Sequence, residues 1–153
     1  MLRVGVLVMA LGLACLPART SASSLAQGSP AVVVLMASDR TTYQAGESVT
    51  FTLAVDNPGS AETTLTFSSG QSYDVVVMAG EAEVWRWSNG RGFIQVIREI
   101  PFQPGVTLMG RETWDGRDNA GVPLPPGSYR AVGSLATIPP QTGNVLELTL
   151  RAR

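Results

Sequence analysis

Residues 65–91 read LTFSSGQSYDVVVMAGEAEVWRWSNGR, and this stretch decides the fold. Its apolar and polar residues alternate in three short runs: Leu65–Phe67, Tyr73–Met78 and Glu83–Trp87. Alternation with a period of two is the pattern of a β-strand with one buried face. Ser69-Gly70 and Ala79-Gly80 separate the runs, and the second gap is short enough for a hairpin. The stretch therefore predicts three strands, the last two joined as a hairpin.

The same pattern extends over most of the chain. Val49–Val55 is the clearest further strand, because its valine, phenylalanine and leucine residues alternate with threonine and alanine. The other candidate strands are Val32–Met36, Phe93–Ile100, Val106–Trp114, Ser128–Leu135 and Val145–Arg151. Eight or nine short strands separated by Gly and Pro predict an all-β, immunoglobulin-like antiparallel β-sandwich. A small β-barrel is the alternative architecture.

Two tryptophans close the opening stretch. Trp85 and Trp87 are two residues apart, so in a strand their rings project from one face and Arg86 from the other. The rings could form an aromatic platform for a sugar or a peptide. Large aromatic residues in sandwiches usually pack between the sheets, however, and we favour that interpretation.

A second distinctive block, residues 114–129, reads WDGRDNAGVPLPPGSY. Its Asp, Asn, Gly and Pro residues favour turns, which predicts a long, stiff connection between two strands. Asp115, Asp118 and Asn119 also raise the question of a calcium loop. Arg117, Ala120 and Pro126 stand where an EF-hand needs an oxygen ligand, a glycine and a glutamate. The sequence therefore predicts no metal and no cofactor.

The start of the chain has the layout of a secretory signal peptide. Arg3 precedes an apolar run, Val4–Leu16, that is too short to span a bilayer, and small residues follow it. We predict a signal peptide over residues 1–26 cleaved after Ala26, with cleavage after Ala22 as the alternative. Residues 27–44 would then hold a linker and the first strand, and residues 45–153 the main domain. The protein would be exported, to the periplasm, the cell envelope or the medium, with no membrane span after cleavage.

Cys15 offers a second fate for the exported chain. Leu13-Ala14-Cys15 resembles the end of a bacterial lipoprotein box, in which the cysteine is lipidated. Gly12 departs from the leucine that this box normally has three residues before the cysteine. Cleavage without lipidation is therefore the preferred prediction.

The residue types that are missing exclude most enzyme classes. The chain has no histidine, no lysine and no cysteine besides Cys15, so serine, cysteine and Schiff-base mechanisms lack their catalytic groups. A two-carboxylate mechanism remains, but Glu81 and Glu83 fit better as solvated charges on a sheet edge. Without Arg3 and Arg19 the chain has nine arginines against twelve acidic residues, a net charge of −3. The sequence predicts neither an enzyme nor a nucleic-acid-binding protein.

Several of these segments together resemble the BsuPI domain family, named after an intracellular serine-proteinase inhibitor of bacilli. The matching segments are Leu65–Phe67 with Gly70, Tyr73-Asp74, Val84–Ser88, Trp114–Gly116 and Pro125–Tyr129. The resemblance covers roughly residues 45–135 and implies an immunoglobulin-like sandwich. Residues 114–129 also resemble a module of flagellar hook-capping and cell-surface proteins. No inhibitory residue can be carried over from the BsuPI family, and a signal peptide departs from an intracellular location.

Two functions follow as hypotheses. The first is inhibition of a serine protease through a stiff exposed loop, which would lose little entropy on binding. The candidate contact residues are Ser88, Asn89, Gly90, Arg91, Asp115, Arg117, Asp118 and Asn119. Arg91 or Arg117 could enter a specificity pocket, although a solvated surface arginine is the more ordinary interpretation. The alternative is a cell-envelope module that binds a protein or glycan partner, or pairs through an edge strand.

Overall fold

The computed structural model describes residues 32–153, which form ten β-strands and no helix. The strands are β1 Val33–Ser38, β2 Thr42–Gln44, β3 Val49–Asn57, β4 Thr63–Phe67, β5 Tyr73–Ala79, β6 Ala82–Arg86, β7 Arg98–Phe102, β8 Gly105–Trp114, β9 Gly127–Leu135 and β10 Gln141–Arg151. The predicted signal peptide, its cleavage site and Cys15 lie outside the described residues. Within residues 32–153 no helix is long and apolar enough to cross a membrane.

The strands form three sheets. One has the order β1-β3-β8, a second the order β2-β10-β9-β5-β6, and β4 pairs with β7 in a small third sheet. All pairs are antiparallel except β2 with β10. The sheets do not close into a barrel. The all-β class is confirmed, and the architecture agrees with the predicted sandwich rather than with the alternative barrel.

The core lies between the two larger sheets. Alternate residues of β3, Val49, Phe51, Leu53 and Val55, are buried against inward-facing residues of β5, β9 and β10. Gly133 on β9 faces Leu53 so closely that there is no room for a Cβ atom. The two layers therefore pack at a separation that their side chains set.

Two differences from the predicted strands have local causes. β2 was not predicted, because three residues carry too little alternation and its parallel pairing with β10 is a long-range contact. The predicted strand Phe93–Ile100 is wrong over its first half, since residues 91–97 form no strand and β7 begins at Arg98. The β-branched residues of that segment favour a strand locally, but β4 pairs only with Arg98–Phe102.

A side chain closes the outer edge of β1. Asn144 lies at the irregular point of the β9–β10 ladder, between Thr142 and Val145. Its Oδ1 accepts a hydrogen bond from the Met36 backbone N–H at 2.8 Å, and its Nδ2 donates to the Met36 carbonyl at 2.9 Å. The amide thus satisfies both backbone groups that β1 would otherwise leave unpaired.

Candidate functional site

The structure brings the two predicted contact loops together. The first follows β6 and contains Ser88–Arg91, and the second connects β8 to β9. The Asn119 backbone N–H donates to the Val84 carbonyl at 3.0 Å, and Asn119 Oδ1 accepts from the Arg86 backbone N–H at 2.9 Å. Asn119 therefore ties the second loop to the outer edge of β6, beside the start of the first loop.

A shallow concavity of about 410 Å³ lies between these loops. Its lining residues are Trp85, Arg86, Trp87, Asn89, Arg91, Thr113, Asp115, Asp118 and Asn119. Five of the eight predicted contact residues line it; Ser88, Gly90 and Arg117 do not. Arg117 lines a separate concavity of about 540 Å³ on the other side of the second loop, together with Asp115.

A buried aspartate fixes the first loop. Asp74 on β5 is only 6% exposed. Its carboxylate accepts hydrogen bonds from the Ser88 hydroxyl at 2.6 Å and the Ser88 backbone N–H at 3.1 Å, and it pairs with the Arg86 guanidinium at 2.7 Å. Since both oxygens have donors, the aspartate sets the direction in which the chain leaves β6.

Arg86 connects this aspartate to a second carboxylate. Its guanidinium also pairs with Glu83 at 2.5 Å. The hydrogen bond to Glu83, followed by that to Asp74, raises the pKa of Arg86 above its usual value, although burial acts against the charged form. The cation therefore stays charged and neutralises the outer surface of β6. Glu81 pairs instead with Arg130, at 3.2 Å.

Arg91 is held against the protein rather than extended into solvent. Its guanidinium lies over the Trp87 ring, 4.4 Å from the ring centre, and its Nε donates to the Trp87 carbonyl at 2.8 Å. The Arg91 backbone N–H donates to the Ser88 carbonyl at 3.0 Å and closes the turn. Asn89 and Gly90 at the tip of this turn are exposed.

Asp118 organises the second loop. Its Oδ1 accepts from the backbone N–H groups of Ala120 at 2.9 Å and Val122 at 2.8 Å. Gly121 follows with φ at 82°, a conformation that side chains with a Cβ rarely adopt. The Arg117 guanidinium donates to the Gly121 carbonyl at 2.8 Å. The predicted stiff connection is therefore a turn braced by its own side chains.

Trp114 joins the second loop to the core. Its indole is fully buried and lies near Phe51, Trp85 and Tyr129, with ring centres 6.1 to 6.5 Å apart. Its Nε1 donates to the Arg117 carbonyl at 2.7 Å. The loop thus starts from an immobile ring, which limits its freedom at the end nearest the concavity.

Trp87 packs on the other side of the first loop. Its ring stacks on Tyr73 with the ring centres 4.8 Å apart. Trp85 and Trp87 are both partly buried against the core. The packing interpretation of the two tryptophans therefore agrees with the structure, although the edge of each ring also lines the concavity.

The Tyr73 hydroxyl reaches across to β8, where it donates to Glu112 at 2.5 Å. Burial first, and then the hydrogen bond to Glu112, raises the pKa of Tyr73 from 10.0 to about 12. The folded protein therefore favours the neutral phenol. This contribution to stability is complete below pH 10 and is lost as the pH rises towards about 12.

We expect this loss to be visible in a comparison with Tyr73→Phe. The free-energy difference between the wild type and the variant, from urea unfolding, should shrink between about pH 9 and about pH 11. Tyr43 and Tyr129 remain in both proteins, so their titration cancels. A difference that stays constant over this range would contradict the role of Tyr73.

The site is built for contact rather than for chemistry. Within residues 32–153 no group of three or more His, Cys, Asp or Glu side chains is placed to hold a metal ion. The concavity presents amide, carboxylate and guanidinium groups, which can bind a partner through hydrogen bonds. The sequence interpretation missed Asp74, although a carboxylate inside the apolar run Tyr73–Met78 was a signal that it has a partner.

Fold and site together define a class: a β-sandwich that carries two braced loops at one end of the sheet edge formed by β6. A family model described as BsuPI, intracellular proteinase inhibitor, matches residues 36–139. The chain belongs to this family, as the resemblance of the two sequence blocks predicted. No curated protein compared with the chain matches it.

Solved structures support the fold alone. The alkylpurine DNA glycosylase AlkC of Pseudomonas fluorescens is similar at 12% identity with a TM-score of 0.50, over 82% of this chain and 32% of that chain. The sporulation control protein Spo0M of Bacillus subtilis is similar at 15% identity and a TM-score of 0.44, over 80% of this chain and 49% of that chain. This chain thus spans about a third to a half of these two proteins.

Proposed function

We propose that the protein is a non-catalytic inhibitor of a serine protease. Membership of a family described as proteinase inhibitors supports this function most directly. The two loops support it physically, because Asp74, Asn119 and Asp118 hold them by hydrogen bonds within the protein. A surface that is rigid before binding loses little conformational entropy when it meets a protease.

The experiment is a titration of the purified protein against a subtilisin-like and a trypsin-like protease, with albumin at equal concentration as the control for non-specific competition. We expect stoichiometric loss of activity in at least one class at micromolar inhibitor. No inhibition of either class would contradict the function. Recovery of a non-protease partner from an envelope extract, unaffected by changes in both loops, would then favour the envelope-module alternative.

We also propose that the inhibitor is exported. The proposal rests on Arg3 and the apolar run Val4–Leu16, whereas the family description is intracellular. Mass spectrometry of the mature N-terminus tests it. A chain beginning at Gln27, or a lipidated Cys15, would support export. A cytoplasmic chain that retains its first residues would overturn it.

A further inference from the structure

The segment that the sequence wrongly predicted as a strand, Phe93–Ile97, exposes several aliphatic side chains. The exposed fractions are 72% for Ile94, 44% for Val96 and 69% for Ile97. Single exposed aliphatic residues are ordinary, but three within four residues place a continuous apolar surface in water. Such a surface costs solvation free energy in the free protein. It is therefore best explained by a partner that covers it.

The backbone of this segment is held at its beginning. The Gly70 backbone N–H donates to the Ile94 carbonyl at 2.7 Å, and the Phe93 ring lies 5.9 Å from that of Trp87. A Cβ atom on Gly70 would come within 2.7 Å of Ile94 Cγ1, so this close contact requires glycine. The first loop, which ends at Gly92, thus leads directly into an anchored extended segment.

The end of the segment is held more strongly. The Arg98 guanidinium donates to the Ser69 carbonyl at 2.9 Å, to the Gly70 carbonyl at 3.1 Å and to the Ser72 hydroxyl at 3.0 Å. Arg98 also opens β7 and pairs there with Phe67. Residues 95–97 therefore span two fixed points and present their side chains outward.

A protease cleft receives an extended chain, and its specificity pocket accepts one side chain of that chain. We propose that residues 94–97 form the segment that the inhibitor places in the cleft, with Ile97 as the anchor in an apolar specificity pocket. This inference rests on the proposed inhibitory function and names the contact within it. Ile97 suits the anchor better than Ile94, because the Ile94 carbonyl and side chain are already engaged with Gly70.

The arginines of the two loops suit a pocket less well. Arg91 is stacked on Trp87, and the Arg117 guanidinium is bonded to the Gly121 carbonyl. Either would have to leave these contacts to enter an acidic pocket of the trypsin type. The preferred partner is therefore a protease with an apolar pocket, and the two loops flank the anchor rather than supply it.

The test compares Ile97→Asp with Val106→Asp, which places the same charge at an equally exposed aliphatic residue, 67% on β8. Ile97→Asp should weaken inhibition of a protease with an apolar pocket at least thirtyfold, roughly the effect of losing an interface anchor. Val106→Asp should change it less than about threefold. Equal inhibition by Ile97→Asp and the wild type would overturn the assignment.

A gain-of-function variant guards against misfolding. Ile97→Arg should acquire inhibition of a trypsin-like protease, because a pocket with a buried aspartate accepts arginine. Inhibition that is instead lost with Arg91→Ala or Arg117→Ala would move the anchor to the loops. A wild type that inhibits neither class removes the inhibitory function and this assignment together. An active wild type with an unaffected Ile97→Asp removes the assignment alone.

Discussion

Replacing Trp114 by alanine is expected to lower the free energy of unfolding by about 4 kcal/mol, the usual range for a large aromatic residue lost from a core. The indole is fully buried, and its neighbours Phe51, Trp85 and Tyr129 come from β3, β6 and β9. These strands belong to both larger sheets, so the neighbours cannot collapse into the space without moving a sheet. The cavity would therefore remain largely open.

Trp114→Phe is the matched control. It keeps an aromatic ring in the core but removes the Nε1 donor from the Arg117 carbonyl. Equilibrium unfolding in urea, followed by circular dichroism, measures both variants. The phenylalanine variant should lie well above the alanine variant in stability. A loss below about 2 kcal/mol for Trp114→Ala would show that the site can repack, contrary to this expectation.

Asp74→Ala should lower the free energy of unfolding by about 3 kcal/mol, because it leaves several donors without their buried acceptor. The Ser88 hydroxyl, the Ser88 backbone N–H and the Arg86 guanidinium all lose their partner. The effect should extend to function, since the loop that begins at Ser88 would no longer have a fixed direction. Inhibition should weaken even under conditions in which the variant remains folded.

Glu83→Gln provides the control for this second variant. Glu83 pairs with the same guanidinium as Asp74, but its side chain is about a third exposed. Exposed ion pairs contribute about 0.2–1 kcal/mol, so the glutamine variant should stay within about 1 kcal/mol of the wild type. The same urea series measures it. Equal losses for the two variants would mean that charge near Arg86 matters, and not the buried hydrogen bonds.

The strands that the sequence predicted well are those with a clear alternation. Val49–Val55 and Tyr73–Met78 lie within β3 and β5, which extend one or two residues further. Alternation reports which face is buried, and both strands have core residues on one face. β2 and the segment 91–97 could not be predicted this way, because their conformation depends on partners far away in the chain.

The candidate site shows the same division. The turn residues of the second loop were recognisable, because Asp118 and Gly121 act on their own neighbours. The contact between Asn119 and β6 was not, since 33 residues separate Asn119 from Arg86. Neither was the role of Asp74, which depends on the register that places β5 beside β6. Local chemistry can be predicted from one sequence, whereas tertiary pairing of polar groups cannot.

The two asparagines at the sheet edges have a consequence for the protein at high concentration. Asn144 covers Met36 on β1, and Asn119 covers Val84 and Arg86 on β6. A carboxamide offers one donor group and one acceptor, as a peptide unit does, so each mimics a neighbouring strand that is one residue long. A second molecule that sought to extend either sheet would first have to displace this amide. The asparagines therefore act as gatekeepers against edge-to-edge aggregation.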